Sequence, residues 1–179
     1  MIDRDFLAEL KRVTESNWKM ADISPRIAGF QFQRGTKWNP GLSAEGIADY
    51  ENALKIKFPH DFRALLAAMN GTDMPTLNEY GSSGAQRQSV GVYTYPRDLE
   101  LVEHRIETVN QDRDAIIAEL AQQGFDLPKE PKLIPIFAHR FIFCEPDLER
   151  SVVLSIHGMD AIVFSNSLQE YLKKEFLDV

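Results

Sequence analysis

The stretch WNPGLSAEGIADYENALKIKFPHDFRALLAAMNG, residues 38–71, decides the fold. Asn39-Pro40-Gly41 is turn chemistry, because proline fixes φ and glycine allows positive φ. Ser43 then caps a helix: its hydroxyl can accept an orphan backbone N–H, and Glu45 favours the positive helix start. Ile47, Tyr50, Glu51 and Leu54 follow at helical spacing. Lys55-Ile56-Lys57 breaks that stripe. Pro59 suits the first turn of a second helix, where its missing N–H is no loss. Phe62, Leu65, Leu66 and Met69 are the buried stripe of that helix. Asn70-Gly71 is expected to end it, with Gly71 in a left-handed C-terminal position. The run holds no metal spacing, no nucleophile with its base and no phosphate loop. It therefore describes a scaffold and not a reaction.

Outward from this run, residues 3–17 read as an amphipathic helix with Phe6, Leu7, Leu10 and Val13 on one stripe. Residues 27–33 alternate around Phe30 and Phe32 as a short strand. Residues 71–88 read as a long loop punctuated by glycine, proline and serine, and loops of that length are uncommon unless functional or disordered. Val90, Val92 and Tyr93-Thr94-Tyr95 read as a strand. From Asp98 a helical pattern runs to Gln123, with Leu99, Val102, Ile106, Val109, Arg113, Ile116 and Leu120 on an a/d seam. Gly124 ends it.

The last third reads as a meander. Leu133–Phe137, His139–Cys144, Val152–His157 and Ala161–Ser165 are the strands, with Glu145-Pro146-Asp147 and Gly158-Met159-Asp160 as turns. The second and third are apolar on both faces, so they belong in the centre of a sheet. Ser167 and Glu170 have capping-box spacing, and Leu168, Tyr171, Leu172 and Phe176 carry a last helix. The expected class is α+β: an antiparallel meander packed with N-terminal helices, a middle amphipathic helix and a C-terminal helix. No internal repeat or linker is visible, so residues 1–179 read as one domain.

The 179 residues suffice for one ordinary core, and 44% hydrophobic with 26% charged residues is the balance of a globular chain. No apolar run approaches the roughly 18–20 residues of a membrane span. The N-terminus lacks an apolar signal core. The single cysteine, Cys144, cannot make an internal disulfide, which fits a reducing cytoplasm. The net charge of −7 is uneven: residues 98–130 carry nine acids against Arg105, Arg113 and Lys129, a net of −6. Such a segment repels nucleic acid and attracts basic partners, or is simply a solvated helix face.

The order of these elements resembles the SUKH superfamily, which groups fungal cell-wall-synthesis regulators with many bacterial toxin-immunity proteins. Matching positions are Gly41, Ile47, Glu51, Leu54, Pro59, Phe62, Leu66, Asn70 and Gly71, then Leu133-Ile134-Pro135-Ile136, then the VVLSI stretch. The likeness covers roughly residues 38–179. Residues 1–37, the N-terminal helix and its extension, fit less well, as does the acidic helix. The resemblance implies an α+β fold, protein–protein binding, no enzymatic activity and no cofactor. It implies an antidote that binds and blocks a toxin, often a nuclease.

Candidate contact residues follow from the residues themselves. His139-Arg140 at a strand start could grip a partner carboxylate or backbone, or Arg140 could pair internally with an acid such as Asp160. His139 and His157 could lie on adjacent strands, but no third ligand at metal spacing is visible. Ser155, His157 and Asp160 have triad residue types; Ser155 and His157 lie ~6.6 Å apart along a strand, too far to cooperate. Tyr80 and Arg87 flank Gly81-Ser82-Ser83-Gly84, a potential binding loop. Trp38 reads as packing or as an aromatic lining a cleft, with Asp73 beside it. Glu100, Glu103 and Glu107 would present the acidic surface to a basic partner. The 99–120 seam would suit a homodimer if it is not buried internally. The rival reading is a regulatory scaffold with a peptide or small-molecule cleft between the two helices and the sheet.

Overall fold

Asp3 starts the first helix, its carboxylate accepting the Asp5 N–H at 3.0 Å. In the computed structural model, which describes residues 2–78, 87–145 and 151–178, this helix is α1 (Arg4–Lys19). Its buried stripe is Leu7, Leu10, Thr14 and Trp18, turned slightly from the one expected through Val13. The cause is Thr14: its hydroxyl donates to the Leu10 carbonyl at 2.7 Å and accepts the Trp38 indole N–H at 2.8 Å. A buried hydroxyl with both roles filled costs little.

The run from Trp38 onward folds largely as it reads. After β1 (Trp38–Pro40) comes α2 (Ala44–Leu54), where Ser43 Oγ accepts the Gly46 N–H at 3.1 Å. Lys55, at φ 55, ends α2 in the left-handed region. Pro59 stands one position earlier than expected, at the N-cap of α3 (His60–Ala68). Glu51 joins the two helices. Its carboxylate is 2% exposed, accepts the Phe58 N–H at 2.9 Å, and meets Arg63 at 2.9 Å and Lys57 at 3.1 Å. Burial raises its pKa, but that backbone donor and the two cations outweigh it and hold the carboxyl below the ordinary range.

The end of the run departs from expectation. α3 stops at Ala68 and the chain passes directly into β2 (Met69–Thr72), antiparallel to β1 with Trp38 opposite Thr72. Gly71 is left-handed, at φ +68, but inside a strand and not at a helix end. Asn70 donates to the Tyr95 carbonyl at 2.6 Å and accepts the Tyr95 N–H at 3.1 Å. Its amide thus takes the place of a neighbouring strand. Residues 90–95, expected as a strand, contribute only the bridge Val92–Phe137. Residues 27–33 likewise contribute only the bridge Gln31–Leu77. The expected long loop contains β3 (Thr76–Leu77) paired with β4 (Gln88–Ser89).

The expected single helix over 98–123 is two, α4 (Leu99–Gln111) and α5 (Arg113–Gln122), broken at Asp112. The polar member of the seam, Arg113, falls at the break. A straight helix of this span would be about 39 Å long. The break lets α4 lie on one edge of the sheet and α5 on the other. Val102, Val109, Ile116 and Leu120 are all buried within the chain, so the seam offers no dimer face. The turn after α5 is left-handed at Gly124, as expected.

The meander is β5 (Leu133–Phe137), β6 (Arg140–Phe143), β7 (Val153–His157) and β8 (Asp160–Ser165), antiparallel and in sequence order. β6 and β7 are central, as their apolar character predicts. One face carries Ile134, Ile136, Ile142 and Val153 into the cluster formed with α1, α2, α3 and α6 (Leu168–Phe176). The other carries Leu133, Phe141, Phe143, Leu154 and Ile156 against Val109, Ile116 and Leu120. Ser167 caps α6 by accepting the Glu170 N–H at 3.2 Å. The fold is α+β.

Two glycines separate conformational cost from collision. A Cβ on Gly71 would stand 2.0 Å from Thr94 Oγ1 and 2.6 Å from the Tyr93 carbonyl, whereas one on Gly124, also left-handed at φ +79, would meet nothing within 4 Å. Gly124→Ala should cost about 1 kcal/mol of unfolding free energy, the left-handed penalty alone. Gly71→Ala should cost about 3 kcal/mol or more. Urea unfolding monitored by tryptophan fluorescence measures both.

Candidate functional site

Arg140, at the start of β6, gathers side chains from the β5–β6 turn, β7, β8 and α6. Ala138, at φ 51, turns the chain out of β5, and His139 follows. The His139 carbonyl accepts the Ile156 N–H at 3.0 Å, which fixes β6 against β7. Arg140 Nη1 donates to Ser155 Oγ at 2.7 Å and to His139 Nε2. Its guanidinium carbon lies 4.0 Å from the centroid of the Phe164 ring, a cation–π contact. Glu175 of α6 completes the cluster, Oε2 standing 3.9 Å from Arg140 Nε. Arg140 therefore pairs internally, as one of its two readings held, but with Glu175 and not with Asp160. Asp160 sits at the β7–β8 turn, exposed and opposite His157.

The electrostatics follow from this packing. Burial lowers the His139 pKa first, and the positive charges of Arg140, His157 and Arg105 lower it further, to about 4. The imidazole is therefore neutral at physiological pH, which leaves Nε2 free to accept from Arg140. Burial raises Glu175 above the ordinary range, and Arg140 only partly opposes it. The Tyr171 hydroxyl, wholly buried, faces the same carboxylate and, like Arg140, opposes part of that rise. Sequence reasoning missed Glu175, Tyr171 and Phe164. The available signal was Tyr171 and Glu175, four apart on an otherwise apolar helix face.

The other candidate chemistry dissolves into packing. The His139 and His157 rings meet edge to face at 6.0 Å, and no third potential ligand joins them among the described residues. Ser155 is held by Arg140, and His157 lies exposed at the far end of β7. Cys144 is buried, and its surroundings push the thiol pKa upward, by burial first and then by the charge of Glu51.

Trp38, one of the expected contact residues, is a core residue at 6% exposure. Besides the Thr14 hydrogen bond, its ring packs on Trp18 at 5.4 Å and Phe176 at 5.7 Å. Asp73 is exposed, but its carboxylate accepts the Lys37 N–H at 2.8 Å and so secures the end of the β1–β2 pair. Arg87 is exposed beside β4, its carbonyl accepting the Asn78 N–H at 3.0 Å. Tyr80, with Gly81-Ser82-Ser83-Gly84, lies outside the described residues.

The acidic segment divides in two. Asp98 is structural: it accepts the Thr94 N–H at 2.8 Å and pairs with Arg97 at 2.9 Å. Glu100, Glu103 and Glu107 are exposed in a row on α4, on the side opposite buried Val102 and Val109. Among the described residues no ion pair engages these three.

Between the two helices and the sheet, where a ligand cleft was the rival expectation, the structure holds a cavity of about 40 Å³ lined by Tyr50, Phe62, Met69 and Ile136. That is room for one or two waters, not for a peptide. A larger opening, about 650 Å³, lies elsewhere, beside Glu175. No known protein family and no curated protein matches this chain.

Two expectations test the cluster. Unfolded His139 gains a proton below about 6.5, whereas the folded residue resists until about 4. More protons on the unfolded chain mean that stability falls as pH drops through that window. His139→Gln should remove this part of the slope, read as the difference between variant and wild-type urea curves from pH 7 to pH 4. Arg140→Ala should destabilise by about 1–2 kcal/mol, because it removes the cation that partly offsets the half-buried Glu175 carboxylate. Adding Glu175→Gln should recover part of that loss in a double-mutant cycle.

Proposed function

We propose that the protein is a non-enzymatic protein-binding module of SUKH type, a bacterial immunity protein that binds and blocks a toxin in the cytoplasm. One observation carries this reading: Glu100, Glu103 and Glu107 form an exposed acidic row, without an ion pair among the described residues, on a helix whose other side is anchored to the sheet. A rigid support keeps three charges in register without a folding cost at the moment of binding. Unpaired carboxylates attract basic protein surface, such as that of a nuclease-type toxin, and chiefly raise the association rate and select the partner. The mode of action is stoichiometric: the bound module excludes the toxin's substrate.

The test is co-purification with the products of the neighbouring genes, any toxin-like C-terminal domain among them included. A one-to-one complex that abolishes toxicity is expected. Reversing the row (Glu100→Lys, Glu103→Lys, Glu107→Lys) should slow association by about tenfold or more at low salt, with the difference shrinking at high salt. Unchanged association by the folded triple variant would remove the acidic-surface mechanism. Absence of any complex would remove the immunity reading.

A further inference from the structure

The opening of about 650 Å³ beside Glu175 lies between the end of α1, residues 30–32, the end of β5 and the end of α6. Its walls are aromatic. Trp18 and Phe32 stack at 4.4 Å, Phe32 and Phe137 at 6.0 Å, and Phe30 meets Phe137 edge to face at 5.6 Å. Phe176 closes the base, 5.6 Å from Phe137. Trp18, Phe137 and Phe176 are buried beneath the groove, and Phe30 and Phe32, half-buried, are the rings with area left for an occupant.

The one charged group among the half-buried and buried lining residues is Glu175, its side chain 23% exposed. Its internal cation is badly placed to neutralise it. Arg140 Nε stands at 3.9 Å, beyond hydrogen-bond distance, and Nη1 of the same guanidinium is committed to Ser155 and His139. The buried Tyr171 hydroxyl beside it offsets only part of the cost of burial. The carboxylate is thus under-compensated in an apolar setting, and burial raises its pKa accordingly. At the rim, the exposed Asp22 adds a second acid, paired with Arg34 at 3.1 Å.

Aromatic faces with a desolvated carboxylate select one chemistry. An anion meets repulsion from both. A neutral apolar chain would exclude water from Glu175 and give it no partner. A cation with an apolar stem satisfies both, its charge facing the carboxylate and the ring faces together. Guanidinium, planar and weakly hydrated, stacks on aromatic rings better than ammonium. The volume is many times that of a water (about 30 Å³), so it admits a whole side chain with its flanking backbone.

We infer that the groove formed by Trp18, Phe30, Phe32, Phe137 and Phe176 around Glu175 is a binding site for an arginine side chain presented by a partner polypeptide. The inference rests on the protein-binding reading, but on a surface distinct from the acidic row of α4. Trp18 lines the groove, so occupancy should be visible in tryptophan fluorescence.

The experiment titrates the full chain with N-acetyl-arginine methylamide and with the uncharged citrulline analogue. Saturable fluorescence change is expected for arginine, with citrulline weaker by about tenfold or more. Glu175→Gln should abolish that discrimination. Phe30→Leu, which keeps apolar bulk and leaves Glu175 and Arg140 in place, should weaken arginine binding severalfold while the unfolding midpoint stays near wild type. The triple reversal on α4 should leave arginine binding unchanged, so failure of the groove and failure of the acidic row are separate results. No saturable change, equal affinity for the two probes, or indifference to Phe30→Leu would overturn the inference.

Discussion

A four-stranded sheet that is apolar on both faces cannot leave either face in water, and the rest of the molecule is arranged around that constraint. Ile134, Ile142 and Val153 point one way, Leu133, Phe141, Leu154 and Ile156 the other. Burying one face requires α1, α2, α3 and α6. Burying the other requires α4 and α5, which is why an acidic and otherwise soluble helix pair must stay on the sheet. Each fully buried aliphatic or aromatic side chain contributes about 1.5–3 kcal/mol, so neither layer is dispensable. The charge pattern is a consequence: with Val102 and Val109 buried, Glu100, Glu103 and Glu107 on the opposite side of α4 are exposed.

A second constraint acts on the helix pair α2–α3. Glu51 sits in the buried stripe of α2, yet it is an ion-pair centre and not a sequence anomaly. Its carboxylate collects one backbone N–H and two cations from the connection and from α3. Burying such a charge is tolerable only because each oxygen has partners. Glu175 is the contrast. It is likewise a carboxylate in an apolar helix stripe, but its cation is offset, and that cation and its tyrosine neighbour together do not cancel the cost of burial. One acid is satisfied and the other is not, and that difference marks the aromatic groove as the place where the fold leaves something to be completed.

Much of the architecture was legible in the residues. The caps at Ser43 and Ser167, the stripes of α2, α3 and α6, and the order of the meander all follow from local hydrogen-bond supply and apolar period. The misreadings share a cause. Asn70-Gly71 has the composition of a helix stop, but its amide serves the backbone of Tyr95 and its missing Cβ admits Thr94. Residues 27–33 and 90–95 alternate like strands, yet their backbone partners are largely side chains or single bridges. The break at Asp112 has no glycine or proline to announce it, since the width of the sheet and not local chemistry requires it. For the candidate site, His139 and Arg140 were legible as a charged pair at a strand start. Glu175, 35 residues further on, was not, because only the packing of α6 over β6 brings it near.

By itself the sequence determined the class of fold, the number and order of most elements and the acidity of the α4 segment, since these depend on propensity, period and charge within a few residues. Tertiary structure decided which of the legible groups remain available. It turned Trp38 into core, tied Asp73 to the backbone, buried the 99–120 seam and left Glu100, Glu103 and Glu107 exposed. It also assembled aromatic rings from α1, residues 30–32, β5 and α6 around one under-compensated carboxylate. Contacts between residues far apart in the chain depend on how layers pack, and no local pattern encodes that distance.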